Sequence, residues 1–197
     1  MTQRVTTLAF LGASDIQDRN CRDWTLKLAR KLQIEKESRV RAITFGYEGQ
    51  GSPQWYAAGH LTRLAGQRPD FALLSFFADG NTALCPSLAT NLANMYAAID
   101  TIRIRRSDTK IYLLKMWRMT AAQEAISFPN LAAVYAQYNT VVANRANISI
   151  LDFYSLSGNP ALHPDEWDPG DTIHPLLPWH ERVSIPTAYD ELEPQIT

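Results

Sequence analysis

Short apolar runs alternate along the chain with longer stretches whose apolar residues recur at helical spacing. VTTLAFLG (5–12), VRAITFG (40–46), FALLSFF (71–77), KIYLLKMW (110–117) and ISILDFY (148–154) read as five buried strands. FALLSFF is nearly all apolar and needs cover on both faces, which is the habit of parallel sheets. Between the strands, residues 20–33 place Trp24, Leu28 and Leu32 on one helix stripe. PQWYAAGHLTRLAG (53–66) reads as a helix entered through proline and closed by glycine. Residues 86–106 carry a long stripe of Leu88, Leu92, Met95, Ile99 and Ile102, residues 128–146 form a further helix, and a short one follows from about 175 to 184. This alternation predicts an α/β fold, a three-layer α/β/α sandwich on a five-stranded parallel sheet. One domain is expected over 1–185, with 186–197 as a polar, loosely held tail.

Right-handed crossovers give such strands one direction, so their carboxyl ends share the edge where ligands bind. Chemistry is therefore sought in GASD, GYEGQGS, ADGNT and MWRM, the segments after the first four strands, and in the loop 155–172 after the fifth. That loop, SLSGNPALHPDEWDPGDT, is longer than compact domains ordinarily tolerate without a functional reason.

Composition narrows the partners. With 19 Lys plus Arg against 20 Asp plus Glu in 197 residues, the net charge is −1, so no general attraction to nucleic acid or anionic membrane is expected. Arg103, Arg105, Arg106 and Lys110 do cluster, but they close a long helix, where cations suit the macrodipole. The amino-terminal apolar run is short and enters a strand at once, so no signal peptide or membrane span is read; the chain reads as soluble, with compartment and oligomeric state open. Cys21 and Cys85 make neither a disulfide framework nor a zinc ribbon and are expected to be reduced and packed. His163, Asp165, Asp168, Asp171 and His174 can be drawn as a metal cluster, yet their spacing matches no zinc signature; no metal or cofactor is expected.

Gly12 allows a tight turn that would hold Ser14 at the edge, although Ser14 or Asp15 alone would equally serve as a cap. Gly46, Gly49 and Gly51 let a backbone turn and aim amide hydrogens at an anion, without the lysine of a phosphate-binding loop. Asp79, Gly80 and Asn81 offer a turn or a side-chain amide donor. A serine needs a base, and the terminal loop can bring His174 over it. Asp171, three residues earlier, can accept the Nδ1 proton and leave Nε2 facing the hydroxyl. Trp55, Trp117 and Trp167 fall near the predicted edge, either as sugar-stacking platforms or as packing anchors, while His60 and His180 read as packing or helix-surface residues.

Gly12-Ala13-Ser14, the glycine loop, the Asn-bearing loop and Asp171-Thr172-Ile173-His174-Pro175 together resemble, in order and over nearly the whole chain, the four blocks of the SGNH (GDSL-type) hydrolases. The resemblance implies a flavodoxin-like sandwich and a Ser-His-Asp esterase without cofactor: Ser14 as nucleophile, His174 as base and acid, Asp171 as its orienter, Gly49 as an oxyanion donor. Two positions depart from the pattern. Ala13 stands where the family usually has Asp, and Asp15 follows the serine instead. An ungapped alignment from Pro69-Asp70 puts Asp79 where the third block has Asn; Asn81 suits the role better, because an ionised aspartate has no proton to donate and repels an oxyanion. The expected substrate is a small acyl ester, with O-acetyl groups on a carbohydrate favoured by family habit and by the Trp117 and Trp167 platforms. The rivals are a lipid ester or thioester hydrolase, and a catalytically degenerate carbohydrate-binding or structural module.

Overall fold

The computed structural model describes residues 4–16, 24–168 and 173–196. Five parallel strands, β1 (Val5–Gly12), β2 (Arg39–Gly46), β3 (Phe71–Leu74), β4 (Lys110–Lys115) and β5 (Ile148–Asp152), hydrogen-bond in the order β2-β1-β3-β4-β5. The order reverses direction between β1 and β3, which opens a crevice at the carboxyl ends of those two strands. All four residues of β3 and all but the first of β1 are buried, as expected of strands covered on both faces.

One helical layer holds α1 (Trp24–Glu35), whose Trp24, Leu28 and Leu32 pack towards β2 as the stripe predicted. The predicted helix over 53–66 is two helices, α2 (Ser52–Ala57) and α3 (His60–Gly66). Gly59 divides them at φ 70°, a left-handed conformation that ends one helix and reaims the chain. With them on the other layer lie α4 (Leu88–Arg105), capped by the Ser87 hydroxyl on the Thr90 N–H, and α6 (Leu131–Asn144). Between β4 and α6 sits α5 (Ala121–Ser127), which buries no residue and so leaves no apolar period to read. Among the described residues no helix is long and apolar enough to cross a membrane, and Cys85 is buried as a free thiol; Cys21 lies outside the described residues.

The short α7 (Phe153–Leu156) follows β5, and α8 (Leu177–Arg182) and α9 (Ser184–Leu192) end the chain against α1. The expectation of a loose tail from 186 is corrected here. Ala188, Leu192 and Ile196 are buried in the same contiguous core as the sheet, at a spacing of four that the surrounding Thr, Asp, Glu and Gln residues obscured. Leu192→Ala is expected to destabilise the whole fold by about 2–5 kcal/mol in chemical denaturation; a frayed tail would leave the midpoint where it was.

Candidate active site

β1 and β2 run in register to Gly12 and Gly46, and the chain then turns tightly through residues 13–16. The Ile16 N–H reaches the Ala13 carbonyl at 3.2 Å, and the Ala13 N–H donates to Asp15 Oδ1 at 2.7 Å. A Cβ on Gly12 would lie 2.4 Å from Ile16 Cγ1, so only glycine lets the turn fold back this closely. Ala13, Asp15 and Ile16 are buried; Ser14 alone is partly exposed. The turn presents one hydroxyl to the crevice.

His174 arrives on a different device. Residues 166–168 and 174–176 form a short antiparallel ribbon: Trp167 pairs with Pro175, the Asp168 N–H donates to the His174 carbonyl at 3.1 Å, and the Leu176 N–H to the Glu166 carbonyl at 2.6 Å. Glu166 is itself locked by Arg182 of α8, whose Nε and Nη2 each donate to one carboxylate oxygen at 2.6 Å. Such a fork on a buried carboxylate holds geometry far better than an exposed pair would. Trp117, past the end of β4, sets its ring edgewise to the imidazole with centroids 6.1 Å apart. The result is a His174 Nε2 to Ser14 Oγ separation of 2.7 Å between residues 160 apart in sequence. Asp171 lies outside the described residues.

The other expected site residues divide. Gly49 sits exposed in the β2–α2 loop at φ 66°, a conformation that favours glycine. Asp79 is almost fully buried and committed elsewhere: Oδ1 accepts the Ser52 N–H at 2.6 Å, and Oδ2 accepts the Ser52 hydroxyl and the Asn91 amide. Burial raises its pKa above the usual carboxylate range against these donors. Asp79 therefore ties the β2–α2 loop to α4 and is not free to meet a substrate. Asn81 is half-buried, and its Oδ1 accepts the Ala83 N–H at 2.9 Å, which leaves the NH2 as the unspent end of the side chain among the described residues. Trp117 and Trp55 are fully buried, so neither stacks on a sugar; both are packing residues. Trp167 is largely buried yet lines a surface cavity of about 310 Å³ together with Thr120, Gln123, Pro160, Pro164 and Asp168.

Three features escaped the pattern. The buried network Ser52–Asp79–Asn91 is extended by Asn94, whose amide donates to the Ser52 hydroxyl at 2.8 Å, and its members are scattered over three segments. Asp15 looked like a cap and is fully buried, with its pKa pushed up to about 6 by burial although the Ser75 hydroxyl and the Ala13 N–H favour its charge. His180 and Ser184 form a second Ser–His pair at 2.7 Å. That pair is sealed: both residues are fully buried, the ring stacks on Trp24 at 5.6 Å, and burial drives its pKa down to about 3. No substrate reaches it, whereas Ser14 is accessible.

No protein-family model matches the chain, and no curated protein matches it in sequence. Solved structures do match in fold. A lipase/acylhydrolase from Enterococcus faecalis superposes with a TM-score of 0.77 over 98% of this chain and 97% of its own, at 16% identity. A family 3 carbohydrate esterase from Clostridium thermocellum gives 0.73 over 98% and 100%, at 12% identity. A variant of an acetyl xylan esterase from Geobacillus stearothermophilus gives 0.73 over 95% and 94%, at 13% identity. The fold is that of the SGNH hydrolases.

Asp15 carries a stability consequence. Its folded-state pKa of about 6 lies above the usual 3.8, so the folded chain holds the proton longer as pH rises. The favourable contribution is complete below 3.8 and is lost by the time pH has risen through 6, a change of roughly 3 kcal/mol at most. Asp15→Asn cannot ionise. The thermal midpoint of the variant relative to the parent is expected to increase between pH 4 and pH 7; a difference independent of pH would show that Asp15 is not protonated in the folded protein at pH 5.

Proposed function

We propose that the chain is a cofactor-independent serine carboxylic ester hydrolase, and the observation that carries this is the 2.7 Å hydrogen bond between a crevice-facing Ser14 and a clamped His174. Ser14 Oγ attacks the ester carbonyl while His174 Nε2 takes its proton. The tetrahedral intermediate collapses as the imidazolium returns that proton to the leaving alcohol, and an acyl-enzyme on Ser14 remains. His174 then draws a proton from water as it attacks the acyl carbonyl, and collapse of the second tetrahedral intermediate releases the acid while the imidazolium returns that proton to Ser14 Oγ. In this reading Asp171 accepts the Nδ1 proton, as the Asp-x-x-His-Pro block implies, and the Gly49 N–H and Asn81 NH2 face the oxyanion.

For substrate, an O-acetyl group on a carbohydrate fits the neighbouring cavity, where Thr120, Gln123 and Asp168 set polar groups beside the Trp167 indole, the mixture that a sugar's hydroxyls and ring face require. The carbohydrate esterases among the structural neighbours support the same class. A second reading has its own observation: Pro160, Ala161 and Pro164 make much of that cavity apolar, and Leu162 beside them is 72% exposed, which favours a longer acyl chain.

Two outcomes test these statements. Ser14→Ala is expected to abolish turnover of a short-chain acyl ester and labelling by an organophosphonate without altering the fold; equal labelling of parent and variant would exclude Ser14 as nucleophile, and an unlabelled parent would favour a binding module. Trp167→Ala is expected to lower kcat/KM on acetylated xylo-oligosaccharide about tenfold more than kcat/KM on p-nitrophenyl acetate, the scale of a lost aromatic contact of roughly 1.4 kcal/mol beyond any effect on the ribbon that carries His174. Selective loss of long-chain over short-chain p-nitrophenyl esters would decide for the second reading.

A further inference from the structure

The residue after Ser14 is a buried carboxylate to which the reaction above assigns no role. Asp15 is fully buried at the end of β1, held by its own backbone neighbour: Oδ1 accepts the Ala13 N–H at 2.7 Å. Three kinds of group lie near it. The Ser75 hydroxyl, just past β3, favours its charge; the phenols of Tyr135 and Tyr138, buried on α6, stand within electrostatic range; so does the imidazole of His174. The indole of Trp24, at the start of α1, donates to the Asp15 carbonyl at 3.4 Å. Oδ2 has no hydrogen-bond partner among the described residues.

A fully buried carboxylate with one oxygen unpartnered is expensive to keep charged. Asn would make the Ala13 bond through its own carbonyl oxygen without that cost, so the turn geometry alone does not call for an acid. The remaining partner that distinguishes an acid from an amide is His174, which gains a positive charge when it takes the proton of Ser14. A negative charge buried close by in a poorly polarisable interior stabilises that imidazolium more than it would in water.

We propose that Asp15 is a positioning residue of the catalytic turn, which pins the Ser14 backbone through the Ala13 N–H and supplies a buried negative charge that favours the imidazolium of His174. Asp15 takes up no proton from the substrate and forms no bond with it. For its kinetic consequence the proposal rests on the serine hydrolase reading; the electrostatic coupling of the two side chains does not. Protonation of His174 stops it acting as base, and protonation of Asp15 removes the charge that assists it. The acid limb of activity therefore contains two ionisations, and the burial that lifts the Asp15 pKa to about 6 places one of them where rates are measurable.

The test follows the His174 Cε1–H resonance by NMR, assigned with a His174→Gln protein, and kcat/KM on a short-chain ester, both against pH, in the parent and in Asp15→Asn. The expected result is two inflections for the parent and one for the variant in both measurements, with kcat/KM of the variant about tenfold lower on the plateau. A single, identical inflection of the resonance in both proteins overturns the proposal whatever the turnover. Two inflections in the parent resonance with no ester hydrolysed would sustain the coupling and reject the hydrolase reading instead. Ser75→Ala keeps the carboxylate and removes a hydroxyl that favours its charge, so it covers the case in which Asp15→Asn does not fold. In Ser75→Ala the inflection due to Asp15 is expected at higher pH, and an unmoved inflection overturns the proposal.

Discussion

Everything proposed for this chain depends on one hydrogen bond of 2.7 Å between side chains 160 residues apart. Neither partner is held by its own local sequence alone. Ser14 is placed by a parallel sheet whose β1 and β2 end in register, and by a turn so tight that a Cβ at Gly12 would collide with Ile16. His174 is placed by a ribbon in which Trp167 pairs with Pro175 and Arg182 grips Glu166 with both ends of its fork. The first support is rigid core. The second is a surface ribbon cross-braced by an ion pair between a buried carboxylate and a partly exposed guanidinium.

The contrast between the two Ser–His pairs shows what makes such a contact chemical. His180 and Ser184 are as close as His174 and Ser14, and they lie at i, i+4 across the junction of α8 and α9. Aromatic rings wall them in: Trp24 stacked on the ring, Trp117 and Trp179 edge-on. Burial leaves that imidazole neutral and without access. Trp117 packs against both histidines, so a single indole separates a sealed pair from an open one. Distance sets the hydrogen bond; access decides whether it can be used.

Legibility in the sequence followed the same division. All five strands and the long helices were readable, because burial of one face imposes a period. The end of the chain was misread, because Ala188, Leu192 and Ile196 sit among polar residues that a composition-based view weighs more heavily. That Ser14 and His174 would meet was legible from their spacing to glycine and proline. Asp79 was the harder case: alignment placed it in the oxyanion region, but its two oxygens are taken by Ser52 and Asn91, partners that lie 27 residues before and 12 after it. Asp15 looked like a cap because the sequence does not say which way a side chain folds back. Trp117 and Trp55 were offered as sugar platforms by proximity to the edge, and only burial identifies them as core.

Two buried carboxylates that follow neighbouring strands call for a physical account, since each costs stability that an amide would not. Asp79 meets three donors and is a structural tie: its charge is spread over the hydrogens of Ser52 and Asn91. Asp15 meets fewer and keeps one oxygen bare, so its charge reaches outward. During the proposed reaction that charge acts with opposite sign on two groups, favouring an imidazolium and opposing an oxyanion. The arrangement is productive only if the oxyanion develops away from Asp15 and is met by donors from another side. The β2–α2 loop with Gly49 and the β3–α4 segment with Asn81 are the segments available for that, on strands that flank β1. With the acid directly after the nucleophile in Ala13-Ser14-Asp15, its buried charge serves the base in the proposed reaction while donors from the flanking strands meet the developing negative charge.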